Sequence, residues 1–225
     1  MRSRLVLSLA EAVVTAAFGS WLGLTAGFLV AGPVGAVLGG AIAAINGLAA
    51  GYHGIYDWRG VRGWLAFAAD STWGLLGTTL GVVLLVANLG TRRAMTIREQ
   101  SRRCNRHVHD GGLALKPFFA LTLGNIISNA NPRGRGVNPS FLSRHEELHI
   151  WQSRAFGPLF PLTYALWWAG GVVVGTVVWL FHRDESWRRL VETAAYYDNP
   201  FEYWAYRNDE NWPPAGAHPL LAWRK

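Results

Sequence analysis

A long uncharged and strongly apolar block occupies residues 12–52 and reads AVVTAAFGSWLGLTAGFLVAGPVGAVLGGAIAAINGLAAGY. It is about twice as long as the stretch of about 20 residues that one helix needs to cross a bilayer. Gly32 and Pro33 lie near its middle, where a helix is readily interrupted. The block therefore predicts a transmembrane helical hairpin with arms at roughly 6–31 and 34–51. It is too long for the apolar core of a cleaved signal peptide.

Small residues recur at every fourth position of this block, which places them on one helix face. Such a face lets two helices approach closely in lipid, so it predicts tight packing within the hairpin. A surface that joins copies of the chain into a homo-oligomer, or a pore, is the alternative. The residues of this face are Gly19, Gly23, Gly27, Ala31, Gly35, Gly39, Ala43, Gly47 and Gly51.

Two further apolar blocks follow. Residues 71–89 are uncharged and long enough to predict one more span, directly after Asp70. Residues 158–181 carry Gly170-Gly171 at their centre, and they predict either a span or a hairpin that dips into one leaflet. We therefore expect a mainly α membrane protein, with a transmembrane region at 1–90 and a second region at 91–225 that includes a small α+β segment.

Composition and charge exclude several classes of protein. Charged residues make up 16% of the chain, against about 25% in ordinary soluble domains, so intrinsic disorder is excluded. The single cysteine, Cys104, excludes a disulfide framework and a zinc site built on several thiolates. The net charge is +7, and arginines flank the apolar blocks. Because the basic stretch 91–106 has no interleaved aromatic residues, we expect a lipid bilayer as partner and no nucleic acid.

The same charges predict the orientation in the membrane. A hairpin followed by one span would place residues 91–157 on the side opposite to the N-terminus and to the loop 52–63. Residues 91–157 carry most of the arginines, and basic loops remain in the cytoplasm. The 91–157 segment is therefore expected on the cytoplasmic side.

The polar segment has its own pattern of short elements. Residues 112–129 alternate partly between apolar and polar side chains, which predicts one or two short strands. Residues 129–139 form a loop. A helix is expected next, with Ser140 as its N-cap and Gly157-Pro158 as its end.

This helix carries the motif H-E-x-x-H as His145, Glu146 and His149. Histidines four residues apart lie on one helix face, so both imidazoles can bind one zinc ion, and the intervening glutamate can act on a water molecule there. The alternative is a capping box, in which Ser143 and Glu146 stabilise a helix start.

Residues 145–164 resemble the active-site helix of zincin metallopeptidases, specifically the gluzincin type, and also uncharacterised bacterial membrane proteins with an H-E-x-x-H-x-x-Q helix. The resemblance implies Zn²⁺, Glu146 as general base, and a third zinc ligand from a glutamate on a later helix. Glu202, in Asn199-Pro200-Phe201-Glu202, is the candidate. Glu202 fits equally well as the third residue of a helix capped by Asn199.

The block at 158–181 constrains this choice. If it crosses the membrane once, Glu202 emerges opposite the histidines, so a Glu202 ligand requires a hairpin broken at Gly170-Gly171. Otherwise the third ligand comes from 91–140. The reserve ligands are His107, His109, Asp110, Cys104 and His182.

Supporting roles can also be assigned. Gln152 and Asp198 are candidates for orienting the histidines from outside the ligand shell. The donors considered for stabilising a developing negative charge are Tyr203, Tyr206 and Arg207.

Taken with the resemblance, these patterns predict a membrane-embedded zinc metallopeptidase that cleaves peptide bonds at the membrane surface. It would be a multi-pass protein of a bacterial inner or plasma membrane. The alternatives are a non-enzymatic membrane scaffold with a degenerate motif, and a zinc hydrolase acting on non-peptide substrates.

Overall fold

The computed structural model describes residues 2–91, 94–134 and 136–223. The basic residues Arg92, Arg93 and Arg135 and the last two residues lie outside the described part. The chain is mainly helical, with α1 (Arg2–His53), α2 (Val61–Ser71), α3 (Leu75–Leu89), α4 (Arg98–Ser101), α5 (Pro139–Phe141), α6 (Glu147–Phe156), α7 (Leu159–Phe181), α8 (Trp187–Glu192) and α9 (Pro200–Asn208). Two five-residue π-helical turns, Leu142–Glu146 and Thr193–Tyr197, precede α6 and follow α8.

The N-terminal helix α1 is the expected helical hairpin. Helical geometry fails at Ala31 and at Gly32, which has a φ of 60°. Glycine adopts this left-handed conformation without a Cβ penalty, and Pro33 then starts the second arm with its fixed φ. We call residues 2–53 the N-terminal hairpin. Its open end carries the N-terminus and His53, and its closed end carries the Gly32 bend.

The small residues of the hairpin are used within it. Backbone of Gly35 occupies the position that a Cβ on Gly27 would take, and Gly39 does the same for Gly23. Nearly all members of this face are therefore covered by the opposite arm, as tight packing requires. A contact between two copies of the chain would have to use other residues.

Residues 71–89, which were expected to form one span, do not form a single straight helix. Ser71 ends α2, and α3 starts at Leu75 after a bend of 85°. The 15 residues of α3 reach only about 22 Å, less than the hydrocarbon thickness of about 30 Å. Among the described helices, α1 and α7 are each long and apolar enough to cross a membrane, and the bent pair α2–α3 makes a third candidate only if it is counted as one span.

The bend also overturns the expected division of the loops. The chain enters α2 at the open end of the N-terminal hairpin and returns there after α3. Arg103 forms an ion pair with Glu11 at 2.5 Å, and the backbone N–H of Asn105 donates to the carbonyl of Ile55. Residues 94–109 therefore lie at the same end of the N-terminal hairpin as the N-terminus and the loop 52–63, and not at its closed end.

A three-stranded sheet lies between this end and the helices that follow. The strands are β1 (His107–Val108), β2 (Leu121–Leu123) and β3 (Ile126–Ser128), in the order β1-β3-β2. β1 is parallel to β3 and β2 is antiparallel to it, with Thr122 opposite Ile127. β2 and β3 fall within the predicted strand region. Val108 and Ile127 pack with Leu142 and Ile150 in a buried core that fixes α6 against the sheet.

A buried charge pair ties α6 to the apolar helices. Arg154 donates two hydrogen bonds of 2.8 Å to the carboxylate of Asp70, which also accepts from the Tyr56 hydroxyl at 2.9 Å. Asn125 donates to the same carboxylate. Breaking such a buried pair leaves an uncompensated charge, so it holds α6 in one position relative to α2.

The helix α7 is continuous, so the structure agrees with the uninterrupted alternative for 158–181 and contradicts the hairpin. Gly170-Gly171 does not break it. Instead, Gly171 and Gly175 admit the backbone of Ala195 and Val191, where a Cβ would collide. Residues 187–197, which we call the return segment, run back along α7 in the opposite direction. Glu202 thus comes back toward the start of α7 without a hairpin inside it.

Candidate metal centre

The helix that carries the two histidines begins earlier than expected. Asn138, not Ser140, is its N-cap, because its side chain accepts hydrogen bonds from the N–H groups of Ser140 and Phe141. The π-helical turn then contains His145 and Glu146, and such turns are frequent at functional sites. The helix ends at Gly157, which has a φ of 53° and is followed by Pro158, as predicted.

The capping-box interpretation of Glu146 is wrong. Ser143 donates its hydroxyl hydrogen bond to the carbonyl of Ser140, inside a helix that has already started. The Glu146 carboxylate accepts a hydrogen bond of 2.5 Å from the hydroxyl of Thr122 on β2. Glu146 is thus fixed from the sheet, and its side chain is buried beside the two histidines.

His145, His149 and Glu202 meet in one buried group. The Nε2 atom of His145 lies 3.6 Å from Oε2 of Glu202, and Nε2 of His149 lies 3.5 Å from Oε1. One ligand atom from each of the three residues lies within 4.8 Å of the others. Among the residues that the structure describes, this is the one group of three such side chains so arranged.

Glu202 does not close the cap of its own helix. Asn199 is the N-cap of α9, with its side chain accepting from the N–H of Phe201, and Pro200 follows as the first helical residue. The N–H of Asn199 donates to the carbonyl of Tyr196 and not to Glu202. Asn199 and Pro200 thus start α9 without the side chain of Glu202, and the Glu202 carboxylate faces the two histidines.

The group fits a metal ion. In tetrahedral zinc sites with bonds of about 2.0–2.1 Å to nitrogen and oxygen, two ligand atoms lie about 3.4 Å apart, close to the separations found here. Oε2 of Glu202 is buried and has no hydrogen-bond partner in the described part of the chain. An unpaired carboxylate oxygen is costly in a buried site unless a cation compensates it. The buried His-His-Glu group could therefore hold a metal ion.

Both histidines are oriented by their other ring nitrogen. Nδ1 of His145 lies 3.0 Å from the carboxylate of Asp209, and Nδ1 of His149 lies 2.8 Å from Oε1 of Gln152. Gln152 in turn donates to the carbonyl of Phe201. Partners of this kind set the tautomer and direct Nε2 toward a metal. Gln152 therefore orients His149, as the sequence predicts.

Asp198 lies in a different place. Its carboxylate accepts a hydrogen bond of 3.2 Å from the N–H of Trp223, and it lines a cavity beside α7. The orienting carboxylate is Asp209 instead. Burial raises the pKa of Asp198 to about 6, because few polar groups compensate its charge.

The electrostatics of the centre favour a positive charge between its members. Burial opposes protonation of His145, but the hydrogen bond with Asp209 and the contact with Glu202 outweigh it and raise its pKa to about 10. Burial also opposes ionisation of Glu202. The charge of His149 and the contacts with both histidines nevertheless hold the pKa of Glu202 well below its usual range.

Three residues at the centre were not among the sequence candidates: Thr122, Tyr164 and Asp209. Tyr164 on α7 donates its hydroxyl hydrogen bond to Oε1 of Glu202 at 2.9 Å. Asp209 lies seven residues after Glu202, on the same face of α9, and this spacing is a signal that the sequence contains. Thr122 and Tyr164 carry no comparable signal.

The candidate charge-stabilising donors divide between two faces of α9. Tyr206, four residues after Glu202, packs its ring edge-on against His145 with centroids 4.6 Å apart. Tyr203 instead packs against Trp212, and Arg207 donates to the Tyr203 hydroxyl. Tyr206 therefore stays beside the centre, while Tyr203 and Arg207 face away from it.

The reserve ligands lie elsewhere. His107 begins β1 and His109 directly follows it. The Nδ1 atom of His107 lies 3.3 Å from the Nδ1 atom of His53. Asp110 follows them, His182 follows α7, and Cys104 is a free cysteine near the open end of the hairpin. Comparison with protein-family models, with characterised proteins and with solved structures found no match.

Proposed function

We propose that this protein is a membrane-bound zinc metallopeptidase. The observation that carries the proposal is the joint placement of His145, His149 and Glu202 around one point, with the Glu146 carboxylate held next to them by Thr122. A metal site for structure alone would gain nothing from a buried acid that is excluded from the ligand group. A hydrolytic site needs such a base.

The residues of the centre have two roles, metal ligand and general base. His145, His149 and Glu202 would hold the zinc, and three protein ligands leave a coordination position open, as in catalytic zinc sites. When bound, zinc would lower the pKa of a water molecule and polarise the scissile carbonyl. Glu146 then accepts a proton from the attacking water and passes it to the leaving amine.

A peptide is the substrate class that the surroundings favour. β2 is an edge strand of the sheet and carries Thr122, the residue that contacts Glu146. An extended peptide can add to such an edge through backbone hydrogen bonds. Its peptide bonds would then run past the Glu146 carboxylate. The Tyr206 hydroxyl is kept protonated beside His145, because burial and the charge of Glu202 raise its pKa, so it can donate a hydrogen bond.

The N-terminal hairpin supports a position of this centre at a membrane surface. From the bend at Gly32, about 20 helical residues in each arm cover the hydrocarbon thickness of about 30 Å, which reaches residues 12 and 52. These are the two ends of the uncharged block. Because the loop 52–63 and residues 94–109 lie together at the open end, their arginines favour a single, cytoplasmic side for that end and for the centre.

The helix α7 is apolar but is not buried within the fold. Its exposed side chains include Leu166, Val173 and Phe181, whereas the return segment beside it carries Arg188, Arg189 and Glu192. We infer that α7 turns its apolar side chains to lipid while the charged return segment stays at the surface. The chain is then a multi-pass protein of a bacterial inner or plasma membrane.

The test combines metal content with peptide cleavage. Detergent-purified protein is expected to contain one zinc per chain by elemental mass spectrometry and to cleave a quenched fluorescent peptide library. Glu146→Gln should retain zinc and lose about 10²–10⁴-fold in turnover. Glu99→Gln, an exposed glutamate outside the centre, is the matched control and should change neither quantity.

The outcomes separate the alternatives. A wild-type protein without zinc after supplementation would favour a membrane scaffold with a degenerate motif. Zinc without peptide cleavage, together with hydrolysis of a lipid-linked substrate that Glu146→Gln abolishes, would favour a hydrolase of non-peptide substrates.

A further inference from the structure

A second polar cavity lies at the open end of the N-terminal hairpin, away from the metal centre. Its volume is about 430 Å³. It lies between the first turns of α1, the last turn of the same helix, and the basic segment that includes α4. Its lining is rich in cations and hydroxyls: Arg4, Leu5, Ser8, Tyr52, His53, Thr96, Arg98 and Ser101.

The charge of this cavity is uncompensated. Arg4 and Arg98 are both exposed, and neither forms an ion pair with an acidic residue in the described part of the chain. The neighbouring arginines behave differently, since Arg103 pairs with Glu11 and Arg106 pairs with Glu147. None of the described residues that line the cavity is a carboxylate. Two unpaired guanidinium groups that face hydroxyls are suited to an anion with several oxygen acceptors.

The cavity lies at the depth of the lipid phosphates. The hydrocarbon boundary falls near residues 12 and 52 by the length of the two arms. The Cα of Ser8 is then about 6 Å beyond the boundary, within a headgroup layer of about 5–8 Å, and the Cα of Arg4 is about 12 Å beyond it, just outside that layer. Tyr52 and His53 lie at the boundary itself. Leu5 lines the cavity, and Val6 and Leu9 on the same turns are exposed apolar residues, which would face the membrane interface.

We propose that this cavity binds a phosphate group, and that an anionic phospholipid of the surrounding leaflet is its source. Arg4 and Arg98 contact the phosphate oxygens from the two sides of the cavity, and the hydroxyls of Ser8 and Tyr52 complete the set of donors. The proposal rests on the membrane placement given above, but it does not depend on the metal centre or on peptide cleavage.

The site would hold the basic segment against the hairpin. Arg4 belongs to the first arm and Arg98 to α4, so one bound phosphate bridges two parts of the chain that are far apart in sequence. In a bridge of this kind each arginine contributes from its own side of the cavity, so loss of either one weakens binding. A diffuse attraction between basic residues and a charged membrane would instead weaken equally when any arginine at this end is replaced.

The experiment measures lipid binding to the full-length, detergent-purified protein by native mass spectrometry. Phosphatidylglycerol, phosphatidylcholine and inorganic phosphate are the three probes. Phosphatidylglycerol is expected to bind one per chain. Arg4→Gln and Arg98→Gln should each weaken it about fivefold, and the double variant about 25-fold, since one arginine near an anionic surface contributes about 1 kcal/mol.

Arg59→Gln is the matched control, because Arg59 is an exposed arginine of the loop at the same end that does not line the cavity. It should bind phosphatidylglycerol like wild type. Inorganic phosphate that binds with the same dependence on Arg4 and Arg98, and competes with the lipid, would confirm the phosphate site and make a free anion its ligand.

Equal binding by wild type and the double variant, or an equal decrease in Arg59→Gln, would overturn the proposal. Zinc content is measured on the same samples and should stay constant. Wild-type protein that contains zinc but does not bind phosphatidylglycerol would show that the lipid proposal has failed, whereas lipid binding by wild-type protein without zinc would show that the metal proposal has failed. Arg4 and Arg98 are exposed and unpaired, so both variants are expected to fold.

Discussion

The N-terminal hairpin and the metal centre are built in opposite ways. The hairpin interface consists of backbone against backbone, with Gly23 and Gly27 on one arm and Gly35 and Gly39 on the other. The metal centre is polar, buried and assembled from β2, the π-helical turn Leu142–Glu146, α6, α7 and α9. The hairpin therefore depends on the absence of side chains, whereas the centre depends on particular side-chain atoms. Substitutions should damage shape in the first region and chemistry in the second.

The largest effect is expected for Glu202→Gln. The change keeps the volume and removes the negative charge that faces His145 and His149. Loss of a residue that only orients a ligand reduces metal affinity about 10–100-fold. Loss of the ligand Glu202 should reduce zinc affinity by more than this, and peptide cleavage should be lost with it. Competition with a chromogenic chelator measures the affinity. Helix content by circular dichroism should be unchanged, and a loss of helix instead would contradict the comparison.

Gly27→Val tests the hairpin. A side chain there would collide with the backbone of Gly35, so we expect the free energy of unfolding to decrease by about 1–3 kcal/mol. The measurement is denaturation in mixed detergent micelles, followed by tryptophan fluorescence. Gly170→Val is the control, because a Cβ on Gly170 meets nothing within 4 Å. Similar losses in both variants would show that helix composition, not close approach, sets the stability.

A smaller effect is expected for Asp209→Asn, which weakens the orientation of His145 without touching the ligands. Zinc affinity should decrease about 10–100-fold. Asp198→Asn serves as the control, since Asp198 contacts Trp223 and not the histidines. If Asp198→Asn weakened zinc binding as much as Asp209→Asn, the assignment of the orienting carboxylate would be wrong.

The smallest effect concerns the pH dependence of stability through Asp198. Its folded-state pKa of about 6 lies above its ordinary value of 3.8, so ionisation disfavours the folded state. The penalty is absent below about pH 4, grows between about pH 4 and 6, and is complete above. Asp198→Asn should therefore be more stable than wild type at pH 7.5 and equal to it at pH 3.5, as measured by thermal unfolding. A stabilisation that persists at pH 3.5 would exclude ionisation as its cause.

The two regions also differ in how far the sequence predicts them. The hairpin follows from a local repeat, because residues four apart share a helix face and Gly32-Pro33 interrupts it. The ligand group was predictable because His145 and His149 share a helix turn and the resemblance to gluzincins pointed to Glu202. Thr122 and Tyr164 reach the centre only through tertiary packing, which no local spacing encodes.

The errors have a common physical origin. Apolar length predicts one span at 71–89, and a Glu202 ligand predicts a hairpin broken at Gly170-Gly171 within 158–181. In the structure, the bend before Leu75 returns the chain to its starting side, and glycines in α7 make room for the return segment instead of breaking the helix. Glycine in an apolar stretch thus predicted an interruption correctly at Gly32 and wrongly at Gly170-Gly171. The two cases differ in whether another segment packs there.

The return segment along α7 also sets the order in which the protein can mature. His145 and His149 are synthesised before α7, and Glu202 only after it, so a nascent chain that has not yet completed α7 holds two imidazoles without their carboxylate. The long separation between the partners makes their meeting a late step in folding. The proposed hydrolytic activity would then arise only once α7 and the return segment have formed, so a nascent chain that ends before Glu202 would be inactive.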